Sequence, residues 1–106
     1  MNNLVALKKL SILFADDDDV FRESFAKTLG MLCENVLIAK DGYEALEIFH
    51  SQAIHIAILD VKMGAMSGLE VAKEIRKERL DLPIFIVSSY TKTDDLLEAC
   101  SLNHLS

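Results

Sequence analysis

Three points in the sequence place an oxygen-bearing side chain directly after a short apolar run. Asp16 and Asp17 open a stretch of four aspartates after residues 10–15 (LSILFA), Asp60 follows 54–59 (IHIAIL), and Ser88 and Ser89 follow 84–87 (IFIV). Short apolar runs bounded in this way read as buried strands. Carboxylates from two such strands, brought to one edge, repel each other. At ~4 Å and an effective dielectric near ~20 each pair costs about 4 kcal/mol before screening, against a total stability of roughly 5–15 kcal/mol for a domain. Such a cluster is either spread out in water or neutralised by a cation. Carboxylates, backbone carbonyls and water suit a hard ion, Mg2+ first. His50, His55 and His104 are scattered and lack the spacing of zinc ligands. An aspartate run ahead of a helix is also an ordinary N-cap, and Asp18 or Asp19 is expected to serve as one. Acids after the first and third strands and a hydroxyl after the fourth favour a functional site over caps alone.

The elements that must position these groups alternate along the chain. Residues 20–31 carry Phe21, Phe25 and Leu29 at helical spacing, continued by Leu32. Residues 35–39 (NVLIA) read as a second strand, and Asp41-Gly42 as a turn. Residues 43–50 have helical spacing through Leu46, Ile48 and Phe49. The run 54–59 is the most apolar and reads as a central strand. A loop with Gly64 and Gly68 leads to an amphipathic helix over 69–79, with Leu69, Val71, Ala72 and Ile75 inward. Leu82-Pro83 opens the fourth strand, and 93–99 starts a further helix with Asp94 and Asp95 at its positive end. This strand–helix order specifies an α/β fold, a doubly wound parallel sheet with helices on both faces. The C-terminal ends of its strands lie along one edge, and ligands bind there at the point where strand order reverses.

Other side chains have structural readings. Phe14, Phe21, Phe25, Phe49 and Phe85 fall at core periodicity, and Met63 and Met66 read as packing residues. Cys33 and Cys100 read as buried or half-buried thiols, His55 as a satisfied core or edge histidine, and Arg22 as a surface or salt-bridge residue.

Composition narrows the function. The chain has 106 residues, 51% of them apolar, and a formal net charge of −6. That length fits one domain, residues 1–106, with no second domain, and half the chain being apolar excludes disorder throughout. A pI near 4.9 argues against direct contact with nucleic acid or an anionic membrane. No apolar stretch approaches the roughly 18 residues of a membrane span, and the first ten residues lack a signal-peptide core. Two cysteines without C-x-x-C spacing point to a reducing cytoplasm.

Four segments, in order and at matching separations, resemble the receiver domain of two-component response regulators over almost the whole chain. Residues 12–22 (ILFADDDDVFR) resemble that family's first strand with its acidic pair and a downstream arginine. Residues 39–46 (AKDGYEAL) are similar to its A-x-D/N-G-x-E-A-L element, and 59–70 (LDVKMGAMSGLE) to its L-D-x-x-M-P-x-M-D-G-x-E block. Residues 83–89 (PIFIVSS) resemble its fourth strand. The resemblance implies a flavodoxin-like sheet of order 2-1-3-4-5. It implies that Asp60 accepts the phosphoryl group from a sensor histidine kinase or phosphotransfer protein. Asp17, Asp60 and the backbone carbonyl of Lys62 would bind Mg2+, and Asp16 would hold the ion through water. Ser88 would supply the switch hydroxyl, and Lys62 and Tyr90 would tune hydrolysis of the acyl phosphate. The surface around strand four and the helix at 93–99 would then change for a partner to read.

The chain departs from the family pattern in places. Gly64 stands where the family has proline, and Ser67 where it has an acid. The chain stops at Ser106, before the family's fifth strand and helix. The family's strand-five lysine therefore has no counterpart; Lys62 and Lys92 are the nearest lysines, and neither follows a fifth strand. These features imply a C-terminally incomplete receiver with a bared strand-four edge, through which copies self-associate. The expected role is regulatory rather than enzymatic, limited to the domain's own phosphorylation and dephosphorylation. Two alternatives stand beside it. One is a degenerate receiver acting as a phosphorylation-independent interaction module. The other is a Mg2+-dependent phosphatase with an aspartate nucleophile, although that class resembles D-x-D-x-T/V after strand one and carries a cap for which this length leaves no room.

Overall fold

The computed structural model describes residues 8–88. Ser89, Tyr90, Lys92, Cys100, His104 and the helix expected over 93–99 lie outside the described residues. Within them the order is β1 (Ser11–Ala15), α1 (Asp19–Gly30), β2 (Asn35–Ala39), α2 (Gly42–Ser51), β3 (Ile56–Asp60), α3 (Gly68–Glu78) and β4 (Ile84–Val87). The strands form one parallel sheet in the order β2-β1-β3-β4.

Period-two alternation along β1 divides the core. Leu13 and Ala15 face α2 and α3, in a cluster with Ala39, Ala45, Leu59, Val71 and Ile75. Ile12 and Phe14 face the other side, with Leu29 and Cys33, and Phe25 packs against them from α1. Right-handed crossovers dictate this split. The chain moves one way across the sheet from β1 to β2 and the other way from β2 to β3 and on to β4. So α1 covers one face, and α2 and α3 the other. Strand order reverses between β1 and β3, the two strands that end in acids.

The structure corrects several expectations. Leu69 is exposed rather than inward. Gly68, Val71 and Ile75 form the buried stripe of α3, and a residue two before Val71 lies about 200° round the helix from it. Phe85 is 54% exposed rather than core. Ile84 and Ile86 pack toward α2 and α3, which turns Phe85 to the opposite face. Phe21 is partly exposed but stacks on Phe25 with ring centroids 5.7 Å apart. His55 is exposed and precedes β3, with its Nδ1 accepting from the Ser11 N–H at 2.8 Å. β3 starts at Ile56 rather than Ile54 and includes Asp60 as its last residue. Asp41-Gly42 is a helix start rather than a free turn: the Asp41 carboxylate accepts from the Glu44 N–H at 2.7 Å and caps α2.

Candidate functional site

Each acid is placed by the strand before it. Asp16 follows β1, and its N–H still donates to the Ala39 carbonyl of β2 at 3.1 Å, so it sits within the sheet edge. Asp60 ends β3 in register with Val87 of β4. Both are buried, whereas Asp17, one residue further along the loop, is exposed. Carboxylate oxygens of Asp16, Asp17 and Asp60 all lie within 4.8 Å of one another. The three acids expected to share a site therefore do so, at the reversal of strand order.

The electrostatics of Asp16 are those of a buried carboxyl among like charges. Asp16 Oδ1 accepts from the Asp18 N–H at 2.8 Å. Asp16 Oδ2 is buried and accepts no hydrogen bond among the described residues. Burial pushes the Asp16 carboxyl up to about 6, and the negative charges of Asp60, Asp17 and Asp18 add to the rise, against the pull of the Asp18 N–H bond. A buried acceptor without a donor costs about 1–3 kcal/mol, and a cation at this point removes that cost. The donor set is all oxygen, two carboxylates deep and one at the rim, which suits Mg2+ rather than a softer metal. The residues present thus fit such an ion.

Two of the remaining expected residues follow the ends of β3 and β4 in sequence. Ser88 directly follows Val87, the partner of Asp60, and is half-buried. The Val61 N–H donates to the Val87 carbonyl at 2.8 Å and extends the β3–β4 pairing past Asp60. Lys62 is exposed on the loop after Asp60. Tyr90 lies outside the described residues.

Two residues not singled out for the site hold it in place. A Cβ on Gly68 would lie 2.2 Å from the Asp60 carbonyl oxygen, so α3 starts directly against the backbone of Asp60, and only glycine permits that approach. The Gly68 N–H also donates to the Val61 carbonyl at 3.0 Å. Arg22, in α1, donates through Nη1 to the Asp16 carbonyl at 2.8 Å and pairs with Asp19. A sequence signal did exist for the adjoining cap. Ser67-Gly68-Leu69-Glu70 is a capping box, with Glu70 N–H donating to Ser67 Oγ at 3.2 Å and Ser67 N–H to the Glu70 carboxylate at 3.1 Å. Ser67 therefore does the capping that an acid would do at the same position. Gly64 has a φ of +57°, a left-handed conformation closed to proline, so this loop departs in backbone geometry as well as composition.

Comparison with known proteins gives one consistent family. The model of the response regulator receiver domain matches residues 12–104. Response regulator RR06 of Streptococcus pneumoniae is 41% identical over 80 residues, which are 76% of this chain and 36% of that protein. The chain thus spans about a third of that relative's length. The structure of response regulator TrrA from Thermotoga maritima in complex with Mg2+-BeF is 30% identical, with a TM-score of 0.70 over 89% of this chain and 98% of that one. TrrA in complex with histidine kinase ThkA aligns equally, with a TM-score of 0.70 and 30% identity, over 89% of this chain and 97% of that one. Among the described residues no helix is long and apolar enough to cross a membrane.

Proposed function

The chain belongs to the response regulator receiver domains of two-component signalling, and on that premise we propose that Asp60 is its phosphoacceptor. The observation that supports this most directly is the three-carboxylate cluster, in which a buried Asp16 oxygen has no hydrogen-bond partner among the described residues. In this reading an Asp60 carboxylate oxygen attacks phosphorus in line with the leaving group. An acyl phosphate O–P bond forms as the P–N bond of a donor phosphohistidine breaks, and the imidazole leaves with that electron pair. Asp16, Asp17 and Asp60, with the Lys62 carbonyl, would hold Mg2+, and that ion supplies neutralisation of the phosphoryl oxygens. Gly68 keeps the Asp60 backbone in place while its side chain reacts. The Ser88 hydroxyl donates to a phosphoryl oxygen and carries the change to the end of β4. Lys62 and Tyr90 tune hydrolysis of the acyl phosphate.

The partner is a sensor histidine kinase or phosphotransfer protein, as for TrrA with ThkA. The site is cytoplasmic, and the chain's own catalysis is confined to its phosphorylation and dephosphorylation. A net charge of −6 supports a domain that makes no nucleic-acid contact itself. Half-exposed Phe85 on β4 supports self-association along that strand, which sedimentation velocity would detect as a concentration-dependent dimer and would contradict as a sharp monomer.

The deciding experiment is intact-mass measurement after incubation with acetyl phosphate and Mg2+. Wild type gains one phosphoryl group, and Asp60→Asn gains none. Equal gain in both would move the acceptor elsewhere, and no gain in either would favour the phosphorylation-independent module.

A further inference from the structure

We propose that Arg22 is a positioning residue for the metal site, holding the peptide that joins Asp16 to Asp17; this rests on the reading of those acids as Mg2+ ligands. The connection from β1 to α1 is only residues 16–18, and it carries two of the three site carboxylates. Its backbone is pinned from several sides. The Asp16 N–H donates to Ala39, and the Arg22 N–H donates to the Asp18 carbonyl at 2.8 Å. The Asp18 carboxylate accepts from the Phe21 N–H at 3.1 Å. The Asp16 carbonyl is the group that sets the plane of the peptide leading into Asp17, and Arg22 Nη1 holds it at 2.8 Å.

The side chain of Arg22 runs back over the preceding turn, as helical side chains do. Its Nη2 pairs with Asp19. One planar fork therefore ties the strand end to the first turn of α1, an arrangement that a lysine's single point charge does not reproduce. The guanidinium side chain is only 15% exposed, while its Asp19 partner is 85% exposed. The contact that Arg22 makes deep in the fold is thus with the backbone of Asp16. None of its hydrogen bonds or ion pairs among the described residues reaches the carboxylates of Asp16, Asp17 or Asp60. Arg22 orients the acids without neutralising them, which leaves Asp16 Oδ2 to a cation.

The test is Mg2+ titration by calorimetry on wild type, Arg22→Met, Arg22→Lys and Asp19→Asn, with amide exchange read at Asp17 and Asp18. Arg22→Met keeps the apolar stem and is expected to weaken Mg2+ about tenfold, the low end for losing a group that supports a ligand. Exchange at the Asp18 N–H, which bonds to Asp16 Oδ1, is expected to speed up in the same variant. Arg22→Lys is expected to lose about threefold, because charge remains but the fork does not. Asp19→Asn leaves the Asp16 carbonyl contact intact and is expected to change affinity least. Wild-type affinity in Arg22→Met overturns the proposal. Should that variant not fold, wild-type affinity in Arg22→Lys does so instead. Absence of Mg2+ binding in wild type overturns the parent reading of the site, and is distinguished by appearing before any substitution.

Discussion

The two loops that build the site each place a buried aspartate at the edge of a central strand, yet their backbones are fixed by different contacts. After β1, Asp16 is held by polar contacts: the Asp18 N–H on one oxygen and the Arg22 guanidinium on its carbonyl. Its second oxygen is buried and has no donor among the described residues. After β3, Gly68 packs against the Asp60 carbonyl, and the loop turns at Gly64 through a left-handed residue. The first loop stores electrostatic cost and releases it to a cation. The second is packed so closely at Gly68 that no atom can be added there. A buried acid gains from a cation, and a nucleophile gains from a backbone that cannot shift; Asp60, proposed for both roles, lies on the second loop.

The largest effect should come from breaking the steric side. Gly68→Ala puts a Cβ 2.2 Å from the Asp60 oxygen, and backbone cannot yield as a side-chain tip would. We expect a loss of about 3 kcal/mol in urea unfolding, the upper part of the overpacking range. The surviving folded fraction should phosphorylate slowly with Mg2+ affinity reduced. Stability within error of wild type would show that α3 can shift away from Asp60.

On the electrostatic side, a substitution should stabilise. Asp16→Asn keeps an acceptor for the Asp18 N–H and removes the charge that burial and Asp60 disfavour. In the presence of a chelator it is expected to raise stability by about 1–2 kcal/mol while weakening Mg2+ binding more than about tenfold. The pH dependence follows with a definite sign. The Asp16 carboxyl is raised from 3.8 to about 6 in the fold, so the folded chain holds this proton more tightly than the unfolded chain. Its contribution is fully present below the ordinary value and is lost as pH rises through about 6. Urea midpoints in chelator should therefore fall between those values for wild type, and the difference from Asp16→Asn should widen over the same interval. A constant difference would show that Asp16 titrates normally.

A smaller effect separates loop geometry from contact. Gly64→Ala meets no atom within 4 Å, so its cost is conformational alone, about 1 kcal/mol for a left-handed position. Unlike Gly68→Ala, it should leave Mg2+ affinity unchanged. A loss of affinity as large as that of Gly68→Ala would mean that the two glycines act on Asp60 together.

Much of this comparison was legible in the sequence, and the illegible part has a common cause. LSILFA and IHIAIL, each ending in aspartate, located the sheet edge and the pair of acids, because strand type and chain order fix which ends meet. Period-two and helical spacing gave the elements within a few residues. What spacing could not supply was the neighbour that decides a side chain's surroundings. Leu69 was expected inward and Phe85 in the core because both extend apolar patterns, but the faces they occupy are uncovered by described elements. Arg22 reads in sequence as a surface or salt-bridge residue and does pair with Asp19, but its bond to the Asp16 carbonyl joins a helix to a loop through backbone that carries no residue signature. Likewise, adjacent Asp16 and Asp17 are chemically identical in sequence, yet Asp16, whose N–H still bonds to Ala39 of the sheet, is buried and Asp17 is exposed.

An effect as small as that of Gly64→Ala is expected at the start of α3, where the Asp60 loop passes into the helix. Ser67 Oγ accepts from the Glu70 N–H, and Glu70 returns the bond to the Ser67 N–H. Ser67→Ala removes the first of these and is expected to cost about 1 kcal/mol, as cap removal commonly does. Ser67→Asp restores an acceptor and adds a charge that the helix N-terminus favours by about 0.3–1 kcal/mol, so its stability should return to or slightly exceed that of wild type. The cap sits one residue before the Gly68 contact with Asp60, which makes the pair of variants a test of how rigidly the helix start holds the site. If Gly68 alone fixes the Asp60 backbone, both variants phosphorylate at the wild-type rate with acetyl phosphate. A rate that falls in Ser67→Ala and recovers in Ser67→Asp would instead make the cap part of the support for Asp60.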